Sequence, residues 1–96
     1  MMNVMVGSPA KRHGNTAIYG VRNICYHAGP RPEGHVTWYY TRADRDEALI
    51  RLRTVAIADG LSVSASRSGL LPVRGRLSIL NEDQQTMMGV DGSIRV

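Results

Sequence analysis

The residues best suited to chemistry crowd into one stretch, NICYHAGPRPEGHVTWYY, at positions 23–40. It holds the single cysteine, two of the three histidines and four of the five aromatic rings. Cys25 and His27 are two apart, so on a strand both project to the same side. His35 would stand across a hairpin from them and His13 precedes them on a loop. Together the four make a Cys-His₃ set of the kind that holds tetrahedral zinc. The spacing C-x-H-x₇-H is not a zinc signature, however. A free cysteine is commonly a small buried hydrophobe, and hairpin histidines are commonly solvated. The expectation is therefore no metal and no cofactor.

Nucleophilic catalysis has less support still. Ser62, Ser64 and Ser66 alternate with apolar residues and lack the G-x-S-x-G turn that exposes a serine nucleophile. Cys25 and His27 share a strand face without having to meet, and no nearby carboxylate would orient the imidazole. The carboxylate pairs Asp46-Glu47 and Glu82-Asp83 fall in a helical first turn and in a polar segment, where structural roles suffice. GSPAKRHGNT lacks the G-x-x-x-x-G-K-[ST] order of a phosphate loop. The chain reads as non-catalytic.

Charge is more informative. The formal net charge is +4, and the cations are eleven arginines and one lysine. Residues 1–42 carry five of them against a single acid, while residues 43–96 carry seven of each sign. A basic surface draws in phosphates or acidic proteins, and arginine favours planar, bidentate contacts with either. Tyr26 and Tyr39 are expected to project from the sheet face opposite the helix, with Arg22 near them. Aromatics on an open sheet stack bases, worth ~1–3 kcal/mol each, while arginines hold phosphates. Lys11, Arg12, Arg31 and Arg42 add to that charge. Arg74 and Arg76, flanking Gly75, extend it if their segment lies on the same side. The plain alternatives are that tyrosines are good strand formers and that arginines decorate a solvated face.

These residues need a scaffold, and 96 residues supply one core and not two. The expectation is a single domain over 1–96 with a mobile basic loop at 7–15. No apolar run approaches the ~18 residues of a membrane helix. The opening MMNVMVGSPAKR places its apolar residues before its basic ones, the reverse of a secretory signal. With one cysteine and no internal disulfide, an intracellular, cytoplasmic chain without membrane contact is expected.

Asn3–Val6 reads as a short strand, and residues 16–27 as another whose alternation changes phase at Gly20 or Asn23, suggesting a bulge. HVTWYYTR is a cleaner strand, with Val36, Trp38 and Tyr40 toward the core and His35, Thr37, Tyr39 and Thr41 toward solvent or a ligand. Prolines and glycines stiffen the loop at 28–34, with Arg31 at its tip. A helix is predicted over 44–59, capped by Thr41 or Asp44 and ended by Gly60 followed by apolar Leu61. Ala48, Leu49, Leu52, Val55 and Ala56 form its sheet-facing stripe, and Ile50, Arg53 and Ile57 a second stripe available to another subunit or partner. Leu61–Ser68 alternates as a strand, and LLPVRGRLSIL as a hairpin about Arg74-Gly75 with Pro72 on a sheet edge. NEDQQTMM suggests one helical turn, and Asp91-Gly92 a two-residue turn between short strands. The sum is an α+β fold: a mostly antiparallel sheet of about five short strands covered on one face by a single helix.

YGVRN, followed by a strand and then DEALIRLRTVAIADG, is similar in its order of elements to the AP2-type DNA-binding domain. There a small sheet backed by one helix lays Arg and Trp side chains into the major groove. The resemblance covers residues 19–60 and implies that Arg22, Trp38 and Arg42 face DNA. The chain departs from the pattern by lacking one strand before the helix and by placing Trp38 at a core position.

The leading expectation is a small non-catalytic binding protein that contacts nucleic acid, or a nucleic-acid-bound complex, through a basic hairpin centred on residues 22–42. The alternative is a protein-binding inhibitor or adaptor of the compact kind that phages and mobile elements encode. It would dock by the 28–34 loop or the Ile50/Ile57 stripe, with Tyr and Arg as anchors. A third reading is a homo-oligomer, such as a homodimer, paired through an edge at Ser93–Val96.

Overall fold

The computed structural model of the chain describes residues 15–24 and 34–96. The expected strand at 3–6, the loop at 7–14 and the hairpin tip at 25–33 lie outside the described residues. With them lie Lys11, Arg12, His13, Cys25, Tyr26, His27 and Arg31. Within the described residues the chain is α+β. Strands β1 (Ala17–Asn23), β2 (His35–Tyr39), β3 (Leu70–Arg76) and β4 (Ser93–Arg95) form an antiparallel sheet in the order β3-β1-β2-β4. Helices α1 (Arg42–Ala58), α2 (Val63–Gly69) and α3 (Glu82–Asp91) surround it.

Local chemistry sets the ends of α1. The Thr41 hydroxyl accepts from the Asp44 amide at 3.1 Å, which satisfies one of the helix's orphan donors. At the other end Gly60 takes φ +106°, its amide donates to the Ile57 carbonyl, and the Leu61 amide donates to Ala56. This is the double bond of a Schellman cap, and Leu61 packs against the cluster that contains Ala56, as commonly accompanies the motif.

The sheet is covered on both faces. Directly paired residues share a face, so Tyr19, Val21, Thr37, Tyr39, Leu70 and Arg74 lie together, and Val21 and Leu70 bury against Leu49 and Ala56 of α1. The opposite face presents Ile18, Val36 and Trp38 to Leu77, Leu80 and Met88, which come from a 3-10 turn at Leu77–Ile79, the residue after it and α3. Val36 and Trp38 are core residues as expected, but of the layer away from α1. The Trp38 indole lies across β1 and β3, and two glycines make room for it. A Cβ at Gly20 would come within 2.9 Å of Trp38 Cε3, and one at Gly75 within 2.9 Å of Cη2.

Several expectations are corrected. β1 pairs without interruption with both neighbours from Tyr19 to Asn23, so neither Gly20 nor Asn23 marks a bulge. Gly75 turns no hairpin either: residues 70–76 are one edge strand, and Gly75 seats the indole. Pro72 does fall on an edge. Residues 63–69 are helical rather than extended. The Ser62 hydroxyl caps the turn by accepting from Ala65, and Ser66 and Ser68 hydroxyls donate to the carbonyls three residues earlier. The polar segment after Leu80 forms a full ten-residue helix, started by a reciprocal capping box between Asn81 and Gln84. Gly92 ends that helix with φ +80° instead of turning between two strands. On α1, Val55 is exposed, and Arg45 occupies the buried stripe one turn before Leu49.

Candidate functional site

Cross-strand pairing sets Arg74, Tyr19, Tyr39 and Ser93 in one row across all four strands, on the face that carries α1. The helix begins beside this row, so its first turn leans Arg42 and Arg45 over it. The guanidinium carbons of Arg42, Arg45 and Arg74 lie 5.6, 5.7 and 5.5 Å from the centre of the Tyr19 ring. An aromatic face attracts such cations by ~0.5–1 kcal/mol each at exposed sites.

The three arginines have different roles. Arg45 is only 8% exposed. Its Nη1 donates to the Val73 carbonyl at 2.9 Å and to Gly20 at 3.4 Å, and its Nε donates to Asp46 Oδ1 at 2.7 Å. That side chain pins α1 to β1 and β3. Arg42 and Arg74 are exposed, and among the described residues no carboxylate pairs with either. Arg76 lies two residues along β3 and hence on the same face. One of its five N–H donors is given to the Asn15 carbonyl at 3.0 Å. A shallow groove of about 260 Å³ is lined by Ala17, Arg74, Gly75 and Arg76.

Across α1 the sign reverses. Asp44, Glu47 and Asp91, with Arg51 among them, line a second open groove of about 240 Å³ that also includes Tyr39. The molecule thus presents a basic strip on the β3 side of the helix and an acidic groove on the β4 side.

Of the sequence-derived candidates among the described residues, the structure brings together Arg42, Arg74 and Arg76 and places Arg22 and Tyr39 apart from that strip. Arg22 pairs across the strands with Val36 and Leu71, which places it on the opposite face. Tyr39 is on the helix-covered face rather than the face opposite the helix, packed against the α1 core and lining the groove that holds the acids. Trp38, which the AP2 resemblance turned toward DNA, is buried, and α3 and the 3-10 turn cover the face opposite α1. Arg53 does not join Ile50 and Ile57 in an open stripe. It reaches across to α2, where its Nη2 donates to the Leu70 carbonyl at 2.7 Å and Arg67 at 3.5 Å. His35 is exposed at the start of β2, and among the described residues no three His, Cys, Asp or Glu side chains converge on a metal position. No helix of the described residues is long and apolar enough to cross a membrane.

Tyr19 and Arg45 were missed as site residues. Arg45 precedes Ala48 and Leu49 by three and four residues, which puts it on the buried stripe and was legible. Tyr19 required the register between β1 and β3, residues more than fifty apart in sequence. No protein-family model matches the chain, and no curated protein or solved structure matches it.

Proposed function

We propose that this chain is a small non-catalytic protein that binds nucleic acid by its phosphates through the strip Arg42, Arg74 and Arg76. Tyr19 positions two of these guanidiniums. The observation that supports this reading most is the convergence of Arg42 and Arg74 on one ring with no carboxylate partner among the described residues. Pre-positioned guanidiniums match phosphate oxygens bidentately and lose less entropy on binding than free side chains would. The acids on the far side of α1 confine the contact to one flank.

Three phosphate contacts imply a slope of log K against log salt of about −2.7, so affinity should fall about 40-fold between ~50 and ~200 mM salt. Fluorescence anisotropy of labelled nucleic acid reads this directly. Absence of binding at ~50 mM, or a loss below about three-fold, would refute the reading.

A protein-binding inhibitor or adaptor is the second reading. Ile50 and Ile57, 68% and 42% exposed, favour it. Docking by that stripe would be insensitive to salt and abolished by Ile50→Ser with Ile57→Ser, changes that leave phosphate binding intact.

A further inference from the structure

Resting on the phosphate-binding reading of the same strip, we infer that its ligand is duplex nucleic acid, held by backbone charge and shape without base readout. Single-strand binders depend on aromatic side chains with a bare face on which bases stack. Each described aromatic is otherwise engaged. Tyr19 is occupied by guanidiniums. Trp38 is buried in its two-glycine seat, and Tyr40 packs against the same core. Tyr39 is packed under α1 and opens onto Asp44, Glu47 and Asp91, whose charge repels a phosphate chain.

Base reading in the major groove needs an exposed helix or ribbon whose donors point outward. The arginines of α1 beyond Arg42 do not supply it. Arg45 is tied to β1 and β3, Arg53 to α2, and Arg51 lies among acids. Among the exposed cations, Arg74 and Arg76 form a row on one sheet edge, about 6.6 Å apart along β3, with Arg42 meeting Arg74 over the Tyr19 ring. Such a row meets successive phosphates of a stiff backbone.

Charge density favours the duplex further, with one charge per ~1.7 Å of axis against ~3.4 Å for one strand. A single strand would also have to be ordered, and among the described residues no aromatic offers a bare face whose stacking would offset the lost entropy. The duplex then lies along the β3 edge and the start of α1, away from the acidic groove.

The test is anisotropy with two short duplexes of unrelated sequence and their separate strands, at ~50 mM salt. Both duplexes should bind within two-fold of each other and each single strand at least about five-fold more weakly. Arg74→Gln should weaken both duplexes alike, and Arg74→Lys, which keeps the charge but not the fork, should recover only part of the loss. Circular dichroism confirms that each variant is folded. Single strands that bind as well as duplexes would overturn the inference while leaving the phosphate reading standing. A ten-fold or greater preference between the duplexes would do the same by revealing base contacts. Failure of every probe to bind would refute the phosphate reading itself, and the inference with it.

Discussion

Alanine at Gly20 places a methyl group where three side chains already meet. Its carbon would stand 2.7 Å from Val36 Cγ1, 2.9 Å from Trp38 Cε3 and 3.0 Å from Val73 Cγ2. Carbon atoms are comfortable at ~3.5–4.0 Å, so each contact must open by up to an ångström. Two of the three cannot open freely. Val36 and Trp38 are backed by Leu77, Leu80 and Met88, and the far edge of the indole rests on Gly75. Overpacking of this kind costs ~1–3 kcal/mol. Alanine restores ~0.4–1 kcal/mol by narrowing the unfolded ensemble. Three simultaneous contacts at 3.0 Å or less put the overpacking at ~2–3 kcal/mol, so the net loss should be about 1–2.5 kcal/mol, a fall in melting temperature of about 5–20 °C for a domain of this size. Urea denaturation should show a lower midpoint with an unchanged slope. Adding Trp38→Leu, which removes the crowded ring, should cost less in the Gly20→Ala background than alone, by at least ~0.5 kcal/mol. An alanine variant as stable as the parent, or strictly additive costs in the double variant, would refute the two-glycine seat.

Three other substitutions separate positioning from binding. Tyr19→Leu removes the ring that holds Arg42 and Arg74 and should weaken duplex binding about 3–5-fold by anisotropy, with the chain still folded. Tyr39→Phe should leave affinity unchanged, since that side chain opens toward acids, and a several-fold loss would show that it does touch the ligand. Arg53→Met breaks the bonds to the Leu70 and Arg67 carbonyls and should cost about 1–2 kcal/mol, with faster hydrogen exchange confined first to α2.

The legible parts of this fold are those governed by nearest neighbours along the chain. Thr41, Gly60 and Leu61 announce α1 because a cap involves residues three or four apart. The Asn81–Gln84 box was equally readable, although a single turn was expected from a segment that forms ten helical residues. The serines at 62–68 misled because strict alternation also fits a short helix whose hydroxyls bond back to its own carbonyls. Gly75 misled for a different reason: a glycine between arginines resembles a turn, and its actual neighbour, Trp38, is brought in by pairing across the sheet. The same limit applies to the site. Arg42, Arg74 and Arg76 were nameable as cations, but the meeting of Arg42 and Arg74 at Tyr19 depends on non-local register, and the acidic flank that removes Tyr39 from it depends on how α1 crosses the sheet.

The proposed role of Arg42, Arg74 and Arg76 is to supply the charge that holds nucleic acid. The slope of log K against log salt tests it most directly, compared between the parent chain and the Arg42→Gln/Arg74→Gln variant. Slopes of about −2.7 and about −0.9 are predicted, because two of three phosphate contacts are removed. A variant that binds with the parent's slope would contradict the claim and place the contact elsewhere on the chain.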